Sequence, residues 1–185
     1  MADKLLIPCL YLQSGKAVTG FGQRNLFGEG NIEDLVRFYR DNGADELLVF
    51  DFSSGDKEHD QAIANIKQIC AIAEIPVMAA GNINRMEDVK KLLYAGCAKV
   101  VLNFSKESNI LLEEVSKRFG KEKMVISISS MEEFADNQKL IEKYADEILA
   151  LDTIQDEIAT SSDMKVILHT EESKTDALKD LLKKE

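Results

Sequence analysis

Seven short apolar runs, separated by segments of helical period, constrain this chain more than any other feature. The runs fall at residues 7–12, 46–52, 75–80, 99–103, 124–129, 147–151 and 164–168. Continuous apolar runs of this length, bounded by turn residues, read as strands buried on both faces. Between the first two runs, Asn31 is placed to cap a helix. Glu33 and Asp34 would stand in its first turn, Leu35, Val36, Phe38 and Tyr39 on its apolar face, and Asn42-Gly43 at its stop. Residues 57–73 carry Ala62, Ile63, Ile66, Ile69, Cys70 and Ile72 at helical spacing. Helices are also predicted over 86–95 closed by Gly96, 109–119 closed by Gly120, 131–144 and 173–184, with a shorter connection over 154–163. A strand and a helix recurring about every 25 residues imply parallel pairing with right-handed crossovers. The fold class expected is therefore α/β. It is either a (β/α) TIM-barrel-like fold truncated to seven units or an open doubly wound parallel sheet. A full eight-unit barrel takes roughly 200 to 250 residues, so a barrel here is one unit short. Residues 1–185 are expected to form a single domain.

Charge narrows the function classes. With 23 Lys and Arg against 33 Asp and Glu, the formal net charge is -10, and no basic stretch exceeds the Lys-Lys near the carboxyl terminus. Such a surface repels nucleic-acid phosphates and anionic membranes, so neither is an expected partner. The start Met1-Ala2-Asp3-Lys4 lacks the basic opening and small-residue cleavage site of a secretory signal, which makes a cytoplasmic location the expectation. Cys9, Cys70 and Cys97 are widely spaced, without a Cys-x-x-Cys pair, and read as buried thiols. His59 and His169 lie far apart and suggest no metal site, and no cofactor is expected.

Polar residues collect where the predicted strands end. Gln13 and Ser14 follow the first, Asp51 and Ser53 the second, Gly81 and Asn82 the third and Asn103 the fourth. Ser129 and Ser130 follow the fifth, Asp152 to Asp156 the sixth, and His169 and Thr170 the seventh. Both candidate architectures bind ligands at the carboxyl ends of parallel strands, so these positions form the candidate site in either case. Caps and turns place the same residue types there, which is the competing account of each.

Within this frame the residues acquire a resemblance. Ile7-Pro8-Cys9-Leu10, followed by Gly15 and Val18-Thr19-Gly20, is similar to the opening strand and loop of the cyclase subunit of imidazole glycerol phosphate synthase, of histidine biosynthesis. Gly43-Ala44-Asp45-Glu46-Leu47 leading to Phe50-Asp51, Ile75-Pro76-Val77, Gly81-Asn82-Ile83, Glu87-Asp88-Val89 and Ala95-Gly96 leading to Lys99-Val100 and Asn103 continue it in order. The likeness is close from residue 4 to 104, patchier through 120–156 and faint beyond. The related phosphoribosyl isomerase shares the barrel but begins differently.

The resemblance implies a barrel that takes ammonia from a glutaminase partner and closes an imidazole ring on a substrate with two phosphates. Ring closure in that family uses an aspartate at the end of strand one and another at the end of strand five as general acid and base. Tyr11 and Ser129 hold those places here, with Ser130 adjacent. A phenol titrates near 10 and is a poor base at neutral pH, and a serine needs another group to activate it. Of the family's phosphate-binding glycines, Gly81 remains, beside Asn82, with Asn103 after the fourth strand. Glu171 and Glu172 stand where a second phosphate would sit. The resemblance also places Glu46, Lys99 and Glu147 in a charged ring at the barrel base, with Leu5 replacing its basic member.

Two hypotheses follow. One is a cyclase relative that has lost ring-closing chemistry and keeps at most partial sugar-phosphate binding or an assembly role. The other is an active cyclase, lyase or phosphoribosyl isomerase-like enzyme using acids outside the family's positions, such as Asp51 and Asp156. Strands one and seven are expected to leave free edges, which makes a homo-oligomer an expected partner state.

Overall fold

The computed structural model describes residues 5–105, 109–151 and 164–169. Its strands are β1 (Cys9–Gln13), β2 (Lys16–Val18), β3 (Leu47–Asp51), β4 (Val77–Ala80), β5 (Lys99–Asn103), β6 (Met124–Ile128), β7 (Glu147–Ala150) and β8 (Lys165–Leu168). The helices are α1 (Ile32–Asp41), α2 (Asp56–Ala73), α3 (Met86–Ala95), α4 (Ile110–Phe119) and α5 (Met131–Tyr144). One sheet runs β2-β1-β3-β4-β5-β6-β7-β8 and is parallel throughout except at β1–β2. All seven predicted strands are present. The predicted helix over 173–184 and the connection over 154–163 lie outside the described residues.

Local chemistry explains the boundaries. The side chain of Asn31 accepts the Asp34 N–H at the start of α1, and Ser130 does the same for the Glu133 N–H at the start of α5. At the end of α3, Gly96 takes a φ of 111°, a left-handed conformation that glycine adopts without strain.

The strand β2 is additional to the seven expected from the apolar runs. Ser14 and Gly15 both take positive φ, 48° and 75°, and turn the chain straight back in a two-residue hairpin. Ala17 and Val18 are consequently buried. Three residues are too short a pattern to reveal a strand, and Gly15 stands directly beside them. The carboxyl half of β1 is therefore covered by β2 and is not a free edge.

Packing distinguishes the two architectures. Alternate strand residues, among them Leu10, Leu12, Leu47, Val49, Val77 and Val100, pack with Ile66, Val89, Val115 and Phe134 of the helices. The other set, Leu48, Phe50, Met78, Ala80, Val101, Val125 and Leu149, forms a second core with Cys9, Tyr11, Phe52 and Ile167. No helix residue enters this second core among the described residues. A doubly wound sheet would put helices on both faces; here the concave face packs on itself. The chain is a curled α/β half-barrel of the TIM type, with its helices on the convex side.

Candidate functional site

The curl brings the carboxyl ends of β1 and β8 face to face. Tyr11, on the concave side of β1, lies 2.9 Å through its hydroxyl from Nε2 of His169, the residue after β8. Its ring stacks on Phe50 and Phe52 of the neighbouring chain segment, with centroids 5.3 and 5.4 Å away. Phe21, from the loop after β2, meets Tyr11 edge-on at 5.4 Å and His169 at 5.4 Å. The Arg24 guanidinium lies 4.3 Å over Phe52. The mouth where a barrel of this type receives its ligand is thus filled by an aromatic cluster around Tyr11. Below it, burial pushes the Cys9 thiol up to about 11, against a hydrogen bond with Tyr11 that lowers it, so Cys9 stays protonated at neutral pH.

The remaining strand-end residues divide between two faces. Ser129 is exposed, and its hydroxyl is 3.3 Å from Glu133, while Ser130 serves as the cap of α5. Asp51 alternates with Phe50 and Phe52 and therefore points away from the concave face, into the helical layer. There its carboxylate accepts the Ser53 N–H at 2.7 Å and contacts Nδ1 of His59 on α2 at 2.6 Å. Both side chains are buried. Nε2 of His59 is 3.5 Å from Asp88 on α3, without a hydrogen bond, beside a cleft of about 190 Å³ lined by Asp56, Asn82, Asn84 and Arg85. Burial pushes the Asp88 carboxyl up, but the Arg85 side chain and the Asn84 N–H outweigh it and hold Asp88 below the usual carboxylate range. Asp156 lies outside the described residues.

Gly81 and Asn82 form the turn after β4. Gly81 has a φ of 86°, and a Cβ there would be driven into the Asp51 carbonyl oxygen. Asn82, at φ 53°, donates its side-chain amide to the Ser53 carbonyl at 2.8 Å and hydroxyl at 3.0 Å, tying this turn to the one after β3. Asn103 is exposed at the end of β5, where its side-chain oxygen accepts the Ser127 hydroxyl at 2.6 Å.

At the opposite end, Lys99 donates to both Glu147 oxygens, at 2.7 and 2.8 Å, and Lys165 stands 3.5 Å from the same carboxylate. Glu46 is half-buried and makes no ion pair with either lysine among the described residues. The sequence reading did not single out Lys165. Its place as the first residue of its strand, like Lys99 and Glu147 in theirs, was the available signal. Tyr11 and His169 are separated by 158 residues in the sequence. Only the curl of the sheet joins them.

Among the described residues, no group of three or more His, Cys, Asp and Glu side chains could hold a metal ion, and no helix is long and apolar enough to cross a membrane.

The family described as "Histidine biosynthesis protein" matches residues 5–177. The chain belongs to this histidine biosynthesis family. Its similar relatives include the imidazole glycerol phosphate synthase subunit HisF of Azobacteroides pseudotrichonymphae, 37% identical over 141 residues, which covers 76% of this chain and 56% of the relative. The HisF of Stenotrophomonas maltophilia strain R551-3 is 32% identical over 146 residues, covering 78% and 56%. That of Campylobacter concisus is 34% identical over 129 residues, covering 69% and 51%. The chain is a HisF-like member of the family and spans about half the length of these curated relatives.

Proposed function

We propose that this HisF-like chain has lost ring-closing chemistry and acts by binding, through a residual sugar-phosphate surface at Gly81, Asn82 and Asn103. The observation that carries this reading is the surroundings of Tyr11. The position that the resemblance assigns to a carboxylate holds a phenol, hydrogen-bonded to His169 and packed against Phe21, Phe50 and Phe52. Proton transfer at a ring under closure needs acid and base groups within hydrogen-bond reach of the reacting atoms. On that side the cluster holds the Tyr11 phenol and the buried His169, bound to each other, in place of the family's carboxylate, and the exposed Ser129 has Glu133 beside it. Asp51, the acid of the rival reading, is turned into the helical layer and engaged by His59.

The turn that carries Gly81 and Asn82 is held by its contacts with Ser53 and Asp51. Asn82 is fixed by Ser53, and Gly81 presses its backbone against Asp51, so one anionic group would meet a preformed turn. The base of the sheet keeps Lys99 paired with Glu147, a remnant of a charged ring, and assembly with a glutaminase or with a second copy is a role it could retain.

The experiment is ammonia-dependent turnover of the cyclase family's phosphoribosyl substrate, run beside calorimetric titration of a phosphoribosyl ligand. Binding without turnover, weakened by Asn82→Ala, is the expected result. Turnover that disappears in Asp51→Asn would overturn the proposal.

A further inference from the structure

The convex layer contains a chemical pair that the mouth does not involve. Cys70 lies near the end of α2, and Cys97 follows Gly96, just before β5. Their sulfurs are 3.8 Å apart, and both thiols are unbridged. The approach is close because Gly96 has no side chain: a Cβ there would stand 3.1 Å from Cβ of Cys70. Cys70 is half-buried and Cys97 buried, so of the two the first is the more accessible to an external reagent.

We propose that Cys70 and Cys97 are a redox-modification site that forms a reversible intramolecular disulfide, with a small disulfide such as glutathione disulfide as oxidant. The Cys70 thiolate attacks one sulfur of glutathione disulfide, that S–S bond breaks, and one glutathione leaves and takes a proton. The Cys97 thiol then loses its proton, and its sulfur attacks the Cys70 sulfur of the mixed disulfide. The second glutathione leaves, again as a thiol. Two protein thiols are oxidised to one disulfide, and one glutathione disulfide is reduced to two glutathiones.

The order of the steps follows from the surroundings. A hydrogen bond with Cys97 lowers the Cys70 thiol against the effect of burial, whereas the same hydrogen bond and burial both push Cys97 up. The attacking sulfur is the one that is both more acidic and accessible. A bond of about 2.05 Å requires the two sulfurs to close by roughly 1.7 Å, a shift within reach of side-chain rotation and a small helix displacement. Cys9, buried and pushed up to about 11, is an internal control.

The bond would staple α2 to the start of β5, two residues before Lys99. The test is to equilibrate the full chain in glutathione buffers of graded potential, quench it in acid, and alkylate it in denaturant before intact-mass and peptide analysis. One alkyl group, on Cys9, with a Cys70–Cys97 linked peptide is expected in oxidising buffer. Three alkyl groups are expected after dithiothreitol. The oxidised form should melt several degrees higher. Cys97→Ser should stop at a glutathione adduct on Cys70; if that variant does not fold, a transient Cys70 adduct in a quenched time course of the unaltered chain tests the same assignment. Three alkyl groups in oxidising buffer, a disulfide that includes Cys9, or a bond between two chains would overturn the proposal.

Discussion

Replacing Lys99 with Met should cost far more stability than replacing Lys165 with Met, although both lysines face the same carboxylate. Glu147 is 9% exposed in its side chain and Lys99 19%, while Lys165 is 79% exposed. Removing one partner of a buried pair costs about 3–5 kcal/mol, because the other charge is left desolvated. Here Lys165, at 3.5 Å, can recover a part that an exposed pair typically limits to about 1 kcal/mol. Lys99→Met is thus expected to lose about 3 kcal/mol, which lowers the melting temperature by about 6–12 °C in a chain of this size. Lys165→Met should lose less than about 1 kcal/mol. Replacing the pair together, as Lys99→Met with Glu147→Leu, removes both desolvation penalties and should return to within about 1 kcal/mol of the unaltered chain. Urea unfolding followed by circular dichroism, with Glu147→Leu alone added to the set and the slope checked for constancy, gives all four corners of the cycle. Equal losses in the two lysine variants, or a double variant as weak as the sum of its singles, would refute the buried-pair reasoning.

The turn after β4 gives a second test. Gly81→Ala should lose about 3 kcal/mol, from left-handed strain and collision with Asp51, against about 1 kcal/mol for Gly28→Ala, where φ is 58° and a Cβ meets nothing within 4 Å. Paired melts separate the two contributions. Asp88, whose ionised form is favoured by Arg85 and the Asn84 N–H, contributes stability that is present above the ordinary carboxylate range near 4 and lost as pH falls through its lower folded value. Asp88→Asn should therefore flatten the acid limb of a stability–pH curve below about pH 4 and leave its alkaline limb unmoved. At the mouth, Tyr11→Phe should lose about 1 kcal/mol by removing the contact with His169. Tyr11→Asp should lose more than about 3 kcal/mol, by setting a carboxylate among Phe21, Phe50 and Phe52, and should restore no turnover.

Much of the fold was legible in the sequence because parallel strands and their helices are written locally. Apolar runs such as residues 46–52, the cap at Asn31 and the stop at Gly96 each predict structure from a few neighbouring residues, and the elements formed where these signals stand. The hairpin at β2 escaped, since three residues carry no period. The surroundings of the strand-end residues were less legible. Asp51 was visible as a polar residue ending a strand, but which face it takes depends on register, and a shift of one residue would have sent it into the concave side. The contacts of Tyr11 with His169 and of Asp51 with His59 and Asp88 are tertiary, and no spacing encodes them. Family resemblance was legible from Ile7-Pro8-Cys9-Leu10 onward, because backbone-shaping residues keep their order even where the acid is replaced by Tyr11.

The contact between Tyr11 and His169 also bears on how such a scaffold can change its repeat number. Every other neighbouring pair of strands is joined by a backbone ladder, which a new unit could enter only by breaking several hydrogen bonds at once. Between β1 and β8 the described residues meet through side chains. Because β2 already holds the carboxyl half of β1, a βα unit added there would pair at the edge of β8, and the ladders from β2 to β8 would keep their register. In an otherwise cooperative sheet, that edge is the natural point at which a lineage can count differently.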